Sequence, residues 1–412
     1  MARAADSGGG ESAGAITRST LLRELNEQAV LETIFRQGPI TRPELATRTG
    51  LSRPAVSAAV RRLEVAGLVG TAGARDGRRG RKPMSYVVSD RAGFVVGVDI
   101  GGANMRAGAA NIFGEMICDD REPTEKDSPR KLQAQILRMV ARVVDVASAE
   151  YERPLAIGVS TPGVVDSASR RVTLAYNISA AGDFDSLALV GERFGVPVLL
   201  ENNVNLAAVG ERWAGVARGV STFAFVSIGA GVGMGVVIDD ELVRGAHGAA
   251  GEIGYMPSHV NPFDEGHRLH GGLEDEIGAA GILEALVRDG ADGVVPRSVQ
   301  EVFELAETGN ERARTVVEEV ARRIGMTIAA VCAVIDPELV VLGGGIGANP
   351  QLVGPVRATA AALLPLAVRI ETSRLGDNAP LYGAIAIALR SARGQVFPAA
   401  MTRGAATLTV GN

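Results

Sequence analysis

The sequence predicts an α/β chain in which a small winged helix-turn-helix stands before a larger, two-lobed body. Three observations support that reading. Between residues 21 and 65, apolar side chains recur at helical spacing in three segments, the second and third each introduced by a capping residue. A strongly basic loop, GTAGARDGRRGRKP, then separates two short apolar runs. Beyond residue 90, three apolar runs each end in a glycine-rich turn, the pattern of buried strands that reverse sharply.

Composition sets the outer bounds. With 412 residues, 46% hydrophobic and 22% charged, the chain has apolar content for several packed domains, which excludes a disordered or fibrous class. Cys118 and Cys332 lie far apart in sequence, so neither a disulfide framework nor a cysteine-based zinc knuckle is available, and a reducing compartment suits them. The opening MARAADSGGGESAG is small and polar, and no uninterrupted apolar stretch of about 18 residues occurs. A cytoplasmic protein with no membrane contact is expected.

Charge is unevenly divided. Residues 1–90 carry 14 Lys and Arg against 9 Asp and Glu, a balance of +5; residues 91–412 carry 28 against 38, a balance of −10, giving −5 for the whole. A basic module ahead of an acidic body suits polyanion binding at one end, although a solvated basic face has the same composition.

Residues 1–16 are expected to be disordered. From Leu21 to Gln37, Leu25, Ala29, Val30 and Ile34 lie on one helical stripe, which Gly38-Pro39 ends. Thr41-Arg42-Pro43-Glu44 reads as a capping box: the Thr41 hydroxyl accepts from the Glu44 amide, Glu44 reaches back, and Pro43 occupies the first turn where a missing N–H costs little. A short helix runs to about Arg48, Thr49-Gly50-Leu51 turns, and Ser52 caps a third helix to about Val65. That helix buries Val56, Val60 and Leu63 and presents Arg53, Ser57, Arg61 and Arg62. Two short helices across a glycine turn, one with an Arg/Ser face, make a helix-turn-helix. Gly67-Leu68-Val69 and Met84–Val88 supply the wing strands. Ser52, Arg53, Ser57, Arg61 and Arg62 are therefore expected in a major groove of operator DNA, with Arg78, Arg79, Arg81 and Lys82 at the wing tip on phosphates or in a minor groove. A helical protein-interaction module is the alternative.

In the body, Phe94-Val95-Val96-Gly97-Val98-Asp99 is followed by Gly101-Gly102. The pattern returns 128 residues later in Val226-Ser227-Ile228-Gly229-Ala230-Gly231, with Ser227 where Asp99 stands and Gly229 where Gly101 stands. This suggests two related halves. A third turn, Gly343-Gly344-Gly345, follows Leu339–Leu342. Glycine lets backbone amides approach phosphate oxygens, so Asp99, Gly101, Gly102, Gly229, Gly231, Gly343 and Gly344 form a candidate nucleotide site between two lobes. Taken singly, such turns mostly mark strand ends.

Between these turns lie Gly158-Val159-Ser160-Thr161-Pro162-Gly163, Asn177, ENNVNLAAVGE from Glu201, GAGVGMGVV from Gly229, GAAGEIG from Gly248 and GGLE from Gly271. With these motifs, residues 17–395 resemble the ROK family of repressors and sugar kinases, in its repressor branch. The resemblance implies a winged helix-turn-helix at 17–90, an actin/hexokinase-like (ribonuclease H-like) sugar-kinase-type domain at 91–395 that binds ligand and dimerises, and a loose tail at 396–412.

In sugar kinases of this family an asparagine–aspartate pair holds the sugar, and the aspartate takes the proton from the attacking hydroxyl. The matching positions are Asn202 and Asn203. A carboxamide has no basic lone pair near neutral pH, so Asn203 can hydrogen-bond a hydroxyl without deprotonating it, and loss of a general base typically removes about 10²–10⁴-fold of rate. Ala103 stands where the family's first phosphate turn carries threonine. Both departures argue against kinase activity and leave the glycine turns as a vestigial nucleotide site. The resemblance further implies a sugar pocket of Gly163, Asn177, Asn202, Asn203, Glu252, Tyr255 and Glu274, with Tyr255 replacing a family histidine that touches the sugar. Family members often hold zinc with that histidine and three cysteines; here Tyr255, Glu265, His267 and Gly272 occupy those places. The expectation is therefore no metal and no cofactor, leaving His247, His259, His267 and His270 as loop histidines.

These readings lead to a sugar-responsive DNA-binding regulator, a repressor of carbohydrate-utilisation genes, that works as a homodimer or higher oligomer with operator DNA and a small carbohydrate effector as partners. A DNA-linked, ATP-dependent sugar kinase is the rival, and a ligand-free regulator whose body only dimerises is a third possibility.

Overall fold

The computed structural model describes residues 18–74, 84–89, 91–165, 172–173, 185–258, 261, 263, 271–287 and 295–396. The expectations for 1–16, for Asn177, for the wing-tip residues Arg78, Arg79, Arg81 and Lys82, for Glu265 with His259, His267 and His270, and for the tail after 396 lie outside them. The chain divides into two compact units, one of residues 1–92 with 392–412 and one of residues 93–391.

In the first unit, α1 (Arg18–Gln37) packs on α2 (Arg42–Thr49) and α3 (Arg53–Val65). The capping box forms as its residue types require: the Thr41 amide and hydroxyl each donate to Glu44 Oε2 at 2.8 Å, and Thr41 Oγ1 accepts from the Glu44 amide. Gly50, at φ +69°, ends α2 in the left-handed region. Ser52 accepts from Ala55 N and starts α3, whose Val56, Ala59, Val60 and Leu63 are buried. The wing strands β2 (Val69–Ala74) and β3 (Met84–Val88) pair antiparallel. The sequence gives no sign of a third strand, β1 (Ile40–Thr41), which pairs with β3 through Ile40 opposite Tyr86 and Thr41 opposite Ser85. Two residues are too few for period-two patterning to register.

The second unit contains two five-stranded mixed sheets. The first comprises β4 (Phe94–Ile100), β5 (Asn104–Asn111), β6 (Met116–Pro123), β7 (Pro154–Thr161) and β10 (Val198–Asn202), in the order β10-β7-β4-β5-β6. A small ribbon, β8 (Val164–Val165) with β9 (Val172–Thr173), lies between β7 and β10 in sequence. The second sheet comprises β11 (Phe223–Ile228), β12 (Val232–Ile238), β13 (Glu241–Val243), β14 (Leu339–Gly343) and β15 (Arg369–Thr372), in the order β13-β12-β11-β14-β15. In both sheets the first three strands form an antiparallel meander, the fourth pairs in parallel with the first, and the fifth pairs in parallel with the fourth. The faint match of the Asp99 and Ser227 segments thus corresponds to a repeated topology, with β4 and β11 as equivalent central strands. This is the two-lobed arrangement expected of an actin/hexokinase-like body.

Each sheet buries one face under helices. Leu132, Ile136, Met139 and Val140 of α4 (Pro129–Ala147) cover β4, β5 and β7. The helices Glu311–Ile335 and Pro350–Leu363 cover β11, β12 and β14. Ala207 and Ala208 of α6 (Asn203–Ala214) share a smaller core with Phe223, Phe225 and Val341 on the other face of the second sheet. Gly383 packs tightly against α6: a Cβ there would lie 1.9 Å from the carbonyl oxygen of Leu206. Among the described residues no helix is long and apolar enough to cross a membrane.

Candidate functional site

The carboxyl ends of β4, β7 and β10 open into a cleft of about 340 Å³, where parallel strands of α/β sheets present ligand sites. Register brings Asp99 beside Ser160, and Thr161 beside Asn202. From the other lobe come Ser227, Gly229, Gly231 and the turn Gly344-Gly345.

Asn202 ends β10 and caps α6. Its Oδ1 accepts from Val204 N at 2.8 Å and Asn205 N at 3.1 Å, while Nδ2 donates to the Gly163 carbonyl at 2.9 Å. Both ends of this amide therefore serve the fold, and one N–H remains for a ligand. Asn203, the first residue of α6, lines the cleft, and among the described residues its amide makes no hydrogen bond. Behind them, Glu201 accepts from Asn205 Nδ2 at 3.0 Å and from Arg244 Nε at 2.6 Å. The ENNVN motif is thus a strand-to-helix corner that braces itself and leaves Asn203 facing the cavity.

Glu252, Tyr255 and Glu274 form the opposite wall. Glu274 Oε2 accepts from Val232 N at 2.9 Å, which fixes its carboxylate at the mouth of the second glycine turn. Burial, reinforced by the charge of Glu274, raises the Glu252 carboxyl above its ordinary range. Tyr255 is 41% exposed, with its ring at the rim. Paired carboxylates and amides on the wall of a cavity suit adjacent hydroxyl groups, because a carboxylate accepts from two of them at once.

At the other end, Asp99 is only 2% exposed and accepts from Ser160 Oγ at 2.7 Å. Arg106 Nη1 approaches it at 3.5 Å, and Arg106 Nη2 donates to Asp377 at 3.2 Å. Burial outweighs these partners and pushes the Asp99 carboxyl up to about 6. Gly101, Gly102, Gly229, Gly231 and Gly344 line the cleft. Gly343 does not: it sits under the Phe225 ring at the end of β14, and Gly345 takes its place on the wall. The expected glycine run is displaced by one residue because β14 extends through Gly343.

Sequence reading missed Arg106, Asp377 and Ser160. For Arg106 a signal exists: it is the one charged residue in the buried strand Asn104–Asn111. Asp377 lies in a short Gly376-Asp377-Asn378 turn that resembles many others.

On α3, Arg53 and Arg61 are exposed and, among the described residues, carry no ion pair. Ser57 is half-buried, and the Ser52 hydroxyl is occupied by its cap. Arg62, expected on the DNA face, pairs its exposed guanidinium with Glu27 of α1. Among the described residues no group of three or more His, Cys, Asp and Glu comes together as a metal site.

Residues 95–391 match the ROK family model, and residues 25–79 match a MarR family model. The chain is 28% identical to a putative xylose repressor of Caldicellulosiruptor sp. (strain Rt8B.4) over 90% of its own length and 96% of that protein. It is 25% identical to the N-acetylglucosamine repressor of Escherichia coli O6:H1 over 79% of its length and 82% of that protein. Its fold matches the crystal structure of a ROK family transcriptional regulator, a homologue of an E. coli protein named MLC, with a TM-score of 0.72 at 22% identity, covering 92% of this chain and 99% of that one. With nearly all of the body matched by the family model, the chain belongs to the ROK family.

Proposed function

We propose that this protein is a sugar-responsive transcriptional repressor that binds operator DNA through α3 and its wing and senses a neutral carbohydrate in the body cleft. The observation that carries the reading is Asn203: an uncommitted carboxamide lines the cleft at the position where family kinases place a proton-accepting aspartate. A hydroxyl held there is bound and not activated. Asn203, Glu252 and Glu274 supply acceptors, the remaining N–H of Asn202 a donor, and Tyr255 a ring face or hydroxyl. Relatives covered over most of their length are named putative xylose repressor and N-acetylglucosamine repressor, which makes pentoses and N-acetylated hexoses the first ligands to try.

Binding of sugar releases DNA if the two states of the body differ in affinity for it, and reciprocity then makes DNA weaken sugar binding by the same factor. Two-fold operators call for two recognition helices, so the working form is a homodimer, and the compartment is the cytoplasm. The test is a paired assay on the full chain. A pentose and hexose panel should raise the melting temperature for at least one sugar, by about 2.7 kcal/mol of stabilisation at 100-fold excess over its dissociation constant. The same panel with Mg²⁺ and ATP should give ADP only at background. Robust turnover would make the protein a DNA-linked sugar kinase, and silence across the panel a ligand-free regulator.

A further inference from the structure

Phosphoryl transfer from a nucleotide needs a divalent cation that bridges the phosphate oxygens and neutralises their charge. The kinase fold of the body implies such a metal–nucleotide pair at the glycine turns. The residues at that end do not fit it. A hard cation takes oxygen ligands, and a carboxylate already paired with a fixed positive charge attracts it less. Asp99 already receives a hydroxyl from Ser160 and faces Arg106, whose other nitrogen is bound to Asp377. Arg106 itself is 9% exposed and cannot swing into solvent without unpairing two carboxylates. Ala103 offers no hydroxyl in the turn.

We infer that the Arg106 guanidinium is a built-in cation occupying the place of the divalent metal, so that the cleft takes its ligand without metal and without a metal-bound nucleotide. The balance of charge favours this arrangement. One guanidinium against Asp99 and Asp377 leaves a local charge of about −1, whereas a divalent ion added beside it would meet like charge at close range next to the buried Asp99 carboxylate. A metal-free polyphosphate would meet both carboxylates. The contact also links distant parts of the body: Arg106 belongs to β5 of the first sheet, and Asp377 follows β15 of the second. The inference concerns the phosphoryl end alone and holds whichever sugar the opposite end accepts.

Mn²⁺ binding, followed by electron paramagnetic resonance of the free ion, tests this on the full chain. Wild type should show no saturable site that depends on Asp99. Arg106→Gln should gain one Mn²⁺, roughly tenfold or more tighter than any background site, as expected when about 1.4 kcal/mol of repulsion is removed. The double variant Asp99→Asn/Arg106→Gln should lose it again. Arg106→Lys, which keeps the charge, should remain without the site, and Arg106→Met, which removes the charge but keeps the stem, should gain it and serves if Arg106→Gln folds poorly by circular dichroism. A wild-type Mn²⁺ site abolished by Asp99→Asn would overturn the inference. So would a folded Arg106→Gln with no gain, or an Arg106→Lys variant that acquires the site. Because no sugar or DNA enters this titration, its failure leaves the repressor reading to be judged by its own assay.

Discussion

Asn202 Nδ2 donates to the carbonyl oxygen of Gly163 at 2.9 Å, tying the strand-to-helix corner of β10 and α6 to the turn after β7 across 39 residues of sequence. The same side chain caps α6 with its oxygen. One amide therefore sets the position of Asn203 and the shape of the cleft wall.

Replacing Asn202 by Ala should destabilise the body by about 1–3 kcal/mol, combining a lost helix cap with an unsatisfied buried carbonyl. Asn202→Asp keeps the cap but sets a carboxylate against the Gly163 carbonyl, and should fall between the two. Urea unfolding of the three proteins gives the order; equal midpoints would remove Asn202 from this role.

Gly344 adopts φ +77°, and a Cβ there would stand 2.3 Å from the carbonyl oxygen of Ile228. Gly344→Ala should cost about 2 kcal/mol or more, with strain and a backbone clash acting together. Gly345→Ala, with nothing within 4 Å of its Cβ, should cost less than half as much. Thermal melts of the pair measure the contrast.

The pH dependence of stability should carry the mark of Asp99. Its carboxyl is raised from 3.8 to about 6, so the folded chain holds this proton more tightly than the unfolded chain. Stability is then greatest with the group protonated and falls as pH rises from about 4 to about 6. At 1.36 kcal/mol per pKa unit the loss approaches about 3 kcal/mol. Asp99→Asn should flatten this segment of the profile; a parallel profile for wild type and variant would place the slope elsewhere.

On the DNA face, Arg53→Ala and Arg61→Ala should each weaken binding and lower the slope of log affinity against log salt by about 1 if the lost contact is to phosphate. Arg62→Ala should act less on the salt slope and more on stability, because Arg62 pairs with Glu27 of α1. Anisotropy at several salt concentrations separates these outcomes.

What the sequence reveals follows the range of the interactions. The capping box at Thr41 and Glu44, the Ser52 cap and the stripe of Val56, Val60 and Leu63 involve neighbours within a few residues, so they are readable from spacing alone. The equivalence of β4 and β11 is readable because both strands end in the same small-residue turn. The motif resemblance brings Asn203, Glu252 and Glu274 together, and the structure places all three on one cavity. Local spacing cannot reveal that Arg106 meets Asp377 across 271 residues, or that Arg62 pairs with Glu27 of α1. The shift from Gly343 to Gly345 reflects where a strand stops, which depends on Phe225 packing above it.

The central claim is that occupancy of the cleft changes the grip on DNA without chemistry. It is tested most directly by anisotropy of the full chain with DNA selected from a random pool, titrated with xylose, glucose and N-acetylglucosamine in the absence of ATP. The account predicts that at least one sugar weakens DNA binding by about tenfold, as expected for coupling of 1–3 kcal/mol, and that Glu252→Gln blunts the response while leaving sugar-free DNA affinity intact. DNA affinity that stays constant while a sugar demonstrably fills the cleft would contradict it.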